Sequence, residues 1–282
     1  MYVLDYLYRY QNIDFREVPF NEVDALVLAL VSYFPFDELN NKKEIYSSDE
    51  LYRRLKEYVP PKDANERKLN YIELVKILCH SLRFKHAKFA WFSKKRDTVH
   101  SKQFQAITII LHDFAYVSFC GTDSTTLGWK EDFNMAYLDT VPSEIEAIQY
   151  LKDVSYNFVF KKLYVGGHSK GGRLAITAAK KLNRNYKLLG VYSFDAPNYP
   201  ADCYDSSKCG SSARFRASRS TFTVSPFSSI TRLSASAISA LSASSSLNEN
   251  VDLLRRRQLS SSLRLPHNFW NWVLPAFFVA AL

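Results

Sequence analysis

The stretch KLYVGGHSKGGRLA, residues 162–175, carries a short apolar run, a glycine pair, one serine, a second glycine pair and the start of a helical pattern. Residues 163–165 are apolar and bounded by glycine, so they read as a buried strand of the parallel type. Residues 173–182 read as the helix that follows. The spacing Gly167, Ser169, Gly171 is the G-x-S-x-G pattern of a nucleophile elbow, where small residues on both sides let the backbone turn sharply and lift the serine hydroxyl out of the sheet. Three fixed positions are unspecific by themselves; the strand before, the helix after and the further glycines Gly166 and Gly172 give them content. Ser169 is therefore the candidate nucleophile, and the helix start beyond it aims free N–H groups and a positive dipole end at the place where an oxyanion would develop. A phosphate-binding glycine loop is the competing reading, but neither G-x-x-x-x-G-K-[ST] nor G-x-G-x-x-G fits.

A chain of 282 residues with 47% hydrophobic and 15% aromatic content can bury a substantial core. Its net charge of +9 is unevenly spread: residues 1–200 carry 28 basic and 24 acidic side chains, whereas residues 201–282 carry 9 and 4. No basic stripe interleaved with aromatics occurs in the first part, which argues against nucleic acid as a partner. Cys79, Cys120, Cys203 and Cys209 lack paired C-x-x-C spacing and read as free thiols. His80 and His86 have no second ligand at metal spacing, so neither a metal nor a cofactor is expected. The first twelve residues lack the basic start and long apolar core of a signal peptide, and a cytoplasmic location is the expectation.

In chain order, residues 21–34 predict a buried helix capped by Asn21, residues 49–58 an amphipathic helix, and residues 63–83 a longer one with Leu69, Ile72, Val75, Cys79 and Leu82 inward. From Phe89 the period becomes that of strands: 89–92, 103–111 and 114–119, the last two joined by a tight turn at His112 and Asp113. Residues 120–133 then place glycine, hydroxyls and acids at a strand's C-terminal end, where α/β sheets bind ligands. Ser143 with Glu146 predicts a capping box opening a helix to about residue 158, and residues 188–197 a last buried strand. Strand, helix, strand, helix, strand from 114 to 194 predicts an α/β fold with a doubly wound, mostly parallel sheet and an N-terminal helical region.

The motifs VSFCGTD, GWKEDFNMAY, GGHSKGG and SFDAPN, with PFNEVDALVLALVSY near the start, resemble the bacterial lipase-like α/β-hydrolases called Mbeg-like, relatives of class 3 lipases. The resemblance covers residues 1–199, with five motifs in the family's order, and implies a serine esterase or lipase. It implies Ser169 as nucleophile, Thr122 after Gly121 as one oxyanion donor, and the N–H of Lys170 as the other. Where class 3 lipases carry arginine before this glycine, Cys120 stands here. Trp129 and Asp132 match the W-x-x-D that packs beneath the oxyanion loop.

The serine needs a base and an acid to orient that base. His267 is the one histidine downstream, and Trp272 five residues on matches the family's spacing; a packing or tail residue is the alternative. Asp195 is the best-placed acid, with shaping of the loop before Pro197 as its alternative, and Asp202, Asp205 and Asp252 are weaker. After Pro200 the vocabulary changes: one of 18 tyrosines lies beyond it, and serine-rich runs replace the Tyr- and Lys-rich text. This predicts a hydrolase domain over residues 1–200, including helices within 21–83, and a Ser/Arg-rich, poorly ordered tail over 201–282 that is a reading-frame product or a diverged end. The apolar stretch 269–282 is 14 residues, short of the roughly 20 needed to span a bilayer, but long enough to touch a membrane surface. Three functions compete: a hydrolase of apolar acyl esters, an inactive member of the same family, and a binding protein acting through its basic tail.

Overall fold

A computed structural model describes residues 3–39, 45–158, 161–182 and 188–197. The elements, in order, are α1 (Val3–Tyr10), α2 (Glu22–Val31), a 3₁₀ turn (Phe36–Glu38), β1 (Ile45–Ser47), α3 (Ser48–Glu57), α4 (Glu66–His80), β2 (Lys88–Asp97), β3 (Lys102–Ile110), β4 (Phe114–Phe119), α5 (Thr126–Tyr137), α6 (Pro142–Asn157), β5 (Lys162–His168), α7 (Lys170–Lys180) and β6 (Leu188–Phe194). Among the described residues, the strands form one six-stranded sheet in sequential order, β1 to β6. β1 to β4 pair antiparallel, whereas β4, β5 and β6 are parallel. The sheet is thus mixed rather than mostly parallel.

The inner strands alternate between two cores, as a period of two requires. On β4, Tyr116 joins the cluster built with α1 to α4, while Ala115, Val117 and Phe119 join the cluster under α6 and α7. Two polar atoms on the first face tie it to α2: Tyr116 Oη donates to the Ala25 carbonyl at 2.9 Å and Ser118 Oγ to the Ala29 carbonyl at 2.9 Å. The helices α6 and α7, which follow β4 and β5, pack together on the second face. The other face is covered by the N-terminal helices. In the described residues a layer with α6 and α7 lies on one side of the sheet and an N-terminal helical layer on the other.

Helix α2 is capped as its sequence predicts: the Asn21 side chain accepts from the Val23 and Asp24 N–H groups, and Asp24 accepts from the Asn21 N–H. Asp24 is also fully buried against Arg83, 2.5 Å away, whose guanidinium further donates to the carbonyls of Ile13, Val18 and Pro19. That fork pins the loop between α1 and α2. Helix α4 is shorter than predicted, and Leu69 and Leu82 are exposed while Ile72, Val75 and Cys79 are buried. Helix α6 opens at Pro142, not Ser143: proline's fixed φ suits the first helical position, Glu144 accepts from the Val141 N–H at 3.0 Å, and Glu146 instead meets Lys95 and Lys102.

Candidate active site

β5 runs into α7 through one residue. Ser169 has φ 56° and ψ −131°, outside the allowed basins of an L-residue, and serves as the N-cap of α7, which begins at Lys170. No described glycine has a positive φ, so the glycines around Ser169 serve closeness rather than handedness. A Cβ on Gly171 would lie 2.1 Å from the Phe119 carbonyl oxygen, and one on Gly167 would lie 2.3 Å from the Gly171 backbone. The start of α7 therefore rests directly on the ends of β4 and β5. The Ser169 N–H donates to the Phe194 carbonyl at 2.8 Å, which joins the turn to the end of β6.

At the end of β4, Gly121 and Thr122 lead into a loop held by its own side chains. Thr122 Oγ1 donates to Asp132 in a short hydrogen bond, Asp123 accepts from the Thr125 N–H at 3.1 Å, and Arg96 pairs with Asp123 at 2.6 Å. Burial holds the Asp132 carboxyl above its ordinary pKa, against the Thr122 hydrogen bond and the positive charge of Lys170. Asp132 thus lies beneath the loop as expected. Trp129 does not: it is 57% exposed, because the inward face of α5 is taken by Glu131 and Met135. Phe133, one turn on from Trp129, is 47% exposed.

Lys170 has two separate ends. As the first residue of α7 its backbone N–H has no partner within the helix, which suits it to a developing oxyanion. Its side chain is fully buried, with Nζ 2.9 Å from Glu131 Oε2 and 2.7 Å from the Gln103 carbonyl. One turn on, Arg173 pairs with Glu144 at 3.0 Å and donates to the Met135 carbonyl at 2.7 Å, both side chains excluded from solvent. Sequence reasoning missed Gln103, Glu131 and Glu144. The available signal was the presence of Lys170 and Arg173 in a helix start that has to pack against a sheet.

His168 precedes the serine. Its Nδ1 lies 3.0 Å from Tyr33 Oη, and its Nε2 lies 3.9 Å from Asp195 Oδ2. Burial pushes the His168 pKa below its ordinary value, although the Asp195 charge opposes this and Arg67 adds to it. Asp195 itself, at φ 49° just past β6, is 64% exposed in its side chain. The structure thus brings Asp195 next to the elbow and beside His168. His267, Cys203, Cys209, Asp202, Asp205, Asp252 and the whole tail from residue 201 lie outside the described residues. Cys79 and Cys120 are free and buried; burial pushes the Cys120 thiol up to about 12.

Elsewhere, a cavity of about 740 Å³ between the β2–β3 hairpin and α6 is lined by Trp91, Phe104, Glu146, Tyr150 and Asp153, none of them part of the Ser169 turn, the loop after β4 or the end of β6. Among the described residues there is no cluster of His, Cys, Asp and Glu that could hold a metal ion, and no helix long and apolar enough to cross a membrane.

The model of the Mbeg1-like family matches residues 78–231, more than half of the chain. No curated protein matches it.

Proposed function

The chain belongs to the Mbeg1-like family, and from that premise we propose that it is a lipase-like serine hydrolase, akin to class 3 lipases, with an α/β-hydrolase fold and with Ser169 as its nucleophile. The observation that carries this reading is the backbone of Ser169, φ 56° and ψ −131°, on a one-residue turn between β5 and α7. Strain of this kind persists where the surroundings over-determine it, and the glycine contacts with β4 do so here.

In the proposed reaction, Ser169 Oγ attacks the acyl carbon of an ester while a base takes its proton. The N–H groups of Thr122 and Lys170 donate to the oxyanion, the alcohol leaves with the proton, and water then frees the acid by the same path in reverse. His267 is the proposed base. Asp195 is the proposed acid, at the end of the strand next to the elbow. An apolar acyl group is favoured because Trp129 and Phe133 stand exposed on α5, the helix that continues from the oxyanion loop. The proposed hydrolase domain is residues 1–200; the family match takes in a further 31 residues beyond that boundary.

A fluorophosphonate probe on the folded protein tests the reading. The expected result is an adduct on the peptide containing Ser169, absent in Ser169→Ala, with His267→Ala reducing esterase turnover to the level of Ser169→Ala. No adduct on that peptide would favour an inactive member of the family, and unchanged turnover in His267→Ala would remove that residue from the site.

A further inference from the structure

Tyr33 lies two residues past the end of α2, far from Ser169 in sequence, yet its hydroxyl sits between Gly121 and His168, the residues that precede Thr122 and Ser169. Oη is 3.0 Å from His168 Nδ1 and donates to the His168 carbonyl at 3.3 Å, and it lies close against the Gly121 backbone. The fit is tight: a Cβ on Gly121 would sit 2.0 Å from Tyr33 Oη and 2.6 Å from the His168 carbonyl. Gly121 precedes Thr122, and His168 precedes Ser169.

We propose that Tyr33 is a positioning residue whose hydroxyl sets the separation between the Thr122 N–H and Ser169, and so the geometry in which an oxyanion is bound. The inference rests on the functional reading above. A phenol offers one proton and two acceptor sites. The Tyr33 hydroxyl donates to the His168 carbonyl and is also in hydrogen-bond contact with His168 Nδ1, while Nε2 of the same ring faces Asp195. The close fit against Gly121 and these polar contacts together link the end of β4, the end of β5 (His168) and the residue after β6 (Asp195). The Tyr33 ring is held in place by stacking on Tyr71 of α4, with centroids 4.8 Å apart and planes at 15°. Burial keeps the Tyr33 hydroxyl well above its ordinary pKa, so it remains a donor throughout the neutral range.

Tyr33→Phe removes the hydroxyl and keeps the ring. The expected outcome is a fall in kcat on a short acyl ester of about 10- to 100-fold, with KM within about twofold of the parent, because a small misplacement of oxyanion donors is felt in the transition state and not in ground-state binding. His168→Asn, which keeps a hydrogen-bonding amide close to the position of Nδ1, should retain more turnover than His168→Leu. Amide hydrogen exchange supplies a readout that does not depend on turnover: the peptide containing Gly121 and Thr122 should exchange faster in Tyr33→Phe than in the parent. Parent-like kcat in Tyr33→Phe, or parent-like exchange at that peptide, would overturn the proposal. Failure of the parent to label at Ser169 would instead defeat the hydrolase reading, leaving the exchange experiment to decide whether Tyr33 clamps the loop.

Discussion

Lys170 and Glu131 face each other at 2.9 Å with both side chains wholly excluded from water, directly behind the proposed nucleophile. Glu131 also accepts from the backbone N–H groups of Gln103 and Ser143, each at 2.9 Å, so one carboxylate joins β3, α5, α6 and α7. Glu131→Ala strands the ammonium and both N–H groups, and should lower unfolding free energy by about 3–5 kcal/mol in urea titrations. Glu131→Leu combined with Lys170→Met should recover a large part of that loss, since no unpaired charge remains.

Gly171 and Gly190 offer a contrast within neighbouring elements. A methyl at Gly171 meets the Phe119 carbonyl oxygen at 2.1 Å, whereas at Gly190 its nearest neighbour is the Tyr164 ring at 3.4 Å. Gly171→Ala should therefore cost about 2–3 kcal/mol or more and abolish probe labelling, while Gly190→Ala should stay within about 1 kcal/mol of the parent. Denaturation midpoints of the two variants decide the point.

The positive φ of Ser169 makes a stability prediction separate from chemistry. Glycine tolerates that backbone and alanine does not, so Ser169→Gly should be more stable than Ser169→Ala by about 1–3 kcal/mol, although both lack the hydroxyl. Equal melting temperatures for the two would mean that the turn is unstrained.

Stability should also respond to acid through His168. Its folded-state pKa is lowered by burial from the ordinary 6.5, despite Asp195, so the unfolded chain takes up the proton first. The contribution of neutral His168 is complete above about pH 6.5 and is lost as pH falls from there towards the folded-state value. Between pH 7 and pH 5 the parent should lose stability that His168→Gln keeps; parallel curves would contradict this.

The change of vocabulary at Pro200 yields a prediction about the gene. If the residues beyond it come from a shifted frame, another frame of the same DNA across codons 195–282 should encode alternating strands with an acid and a histidine in family-like context. Stops in both other frames, together with resistance of residues 201–282 to limited proteolysis, would show the tail to be an evolved, folded element. The family match reaches residue 231, so codons 201–231 are the informative ones.

Much of the elbow could be read from residues 162–175 because each of its demands is local: β-formers, then close glycines, then helix formers. Helix α2 was legible for the same reason, its cap and apolar run being adjacent in the chain. What escaped depends on partners far away. Tyr33 reaches His168 across 135 positions, Lys170 reaches Glu131 across 39, and Arg173 reaches Glu144 across 29. Helix α5 carries no apolar stripe because its buried face includes the charged Glu131, and that hid it among the loop residues after β4. Three-residue β1 is too short to show any period.

The covering of one sheet face by the N-terminal helices bears on where the molecule can be cut. The family match begins at residue 78, inside α4, yet Phe114, Tyr116 and Tyr192 of the sheet pack in the cluster that α1, α2 and α3 complete. A chain started at that boundary would leave an aromatic sheet surface bare to water, the kind of surface through which proteins associate into aggregates. The edge of the family match and the edge of the packed cluster therefore fall in different places, and a chain begun at residue 78 should aggregate where the parent does not.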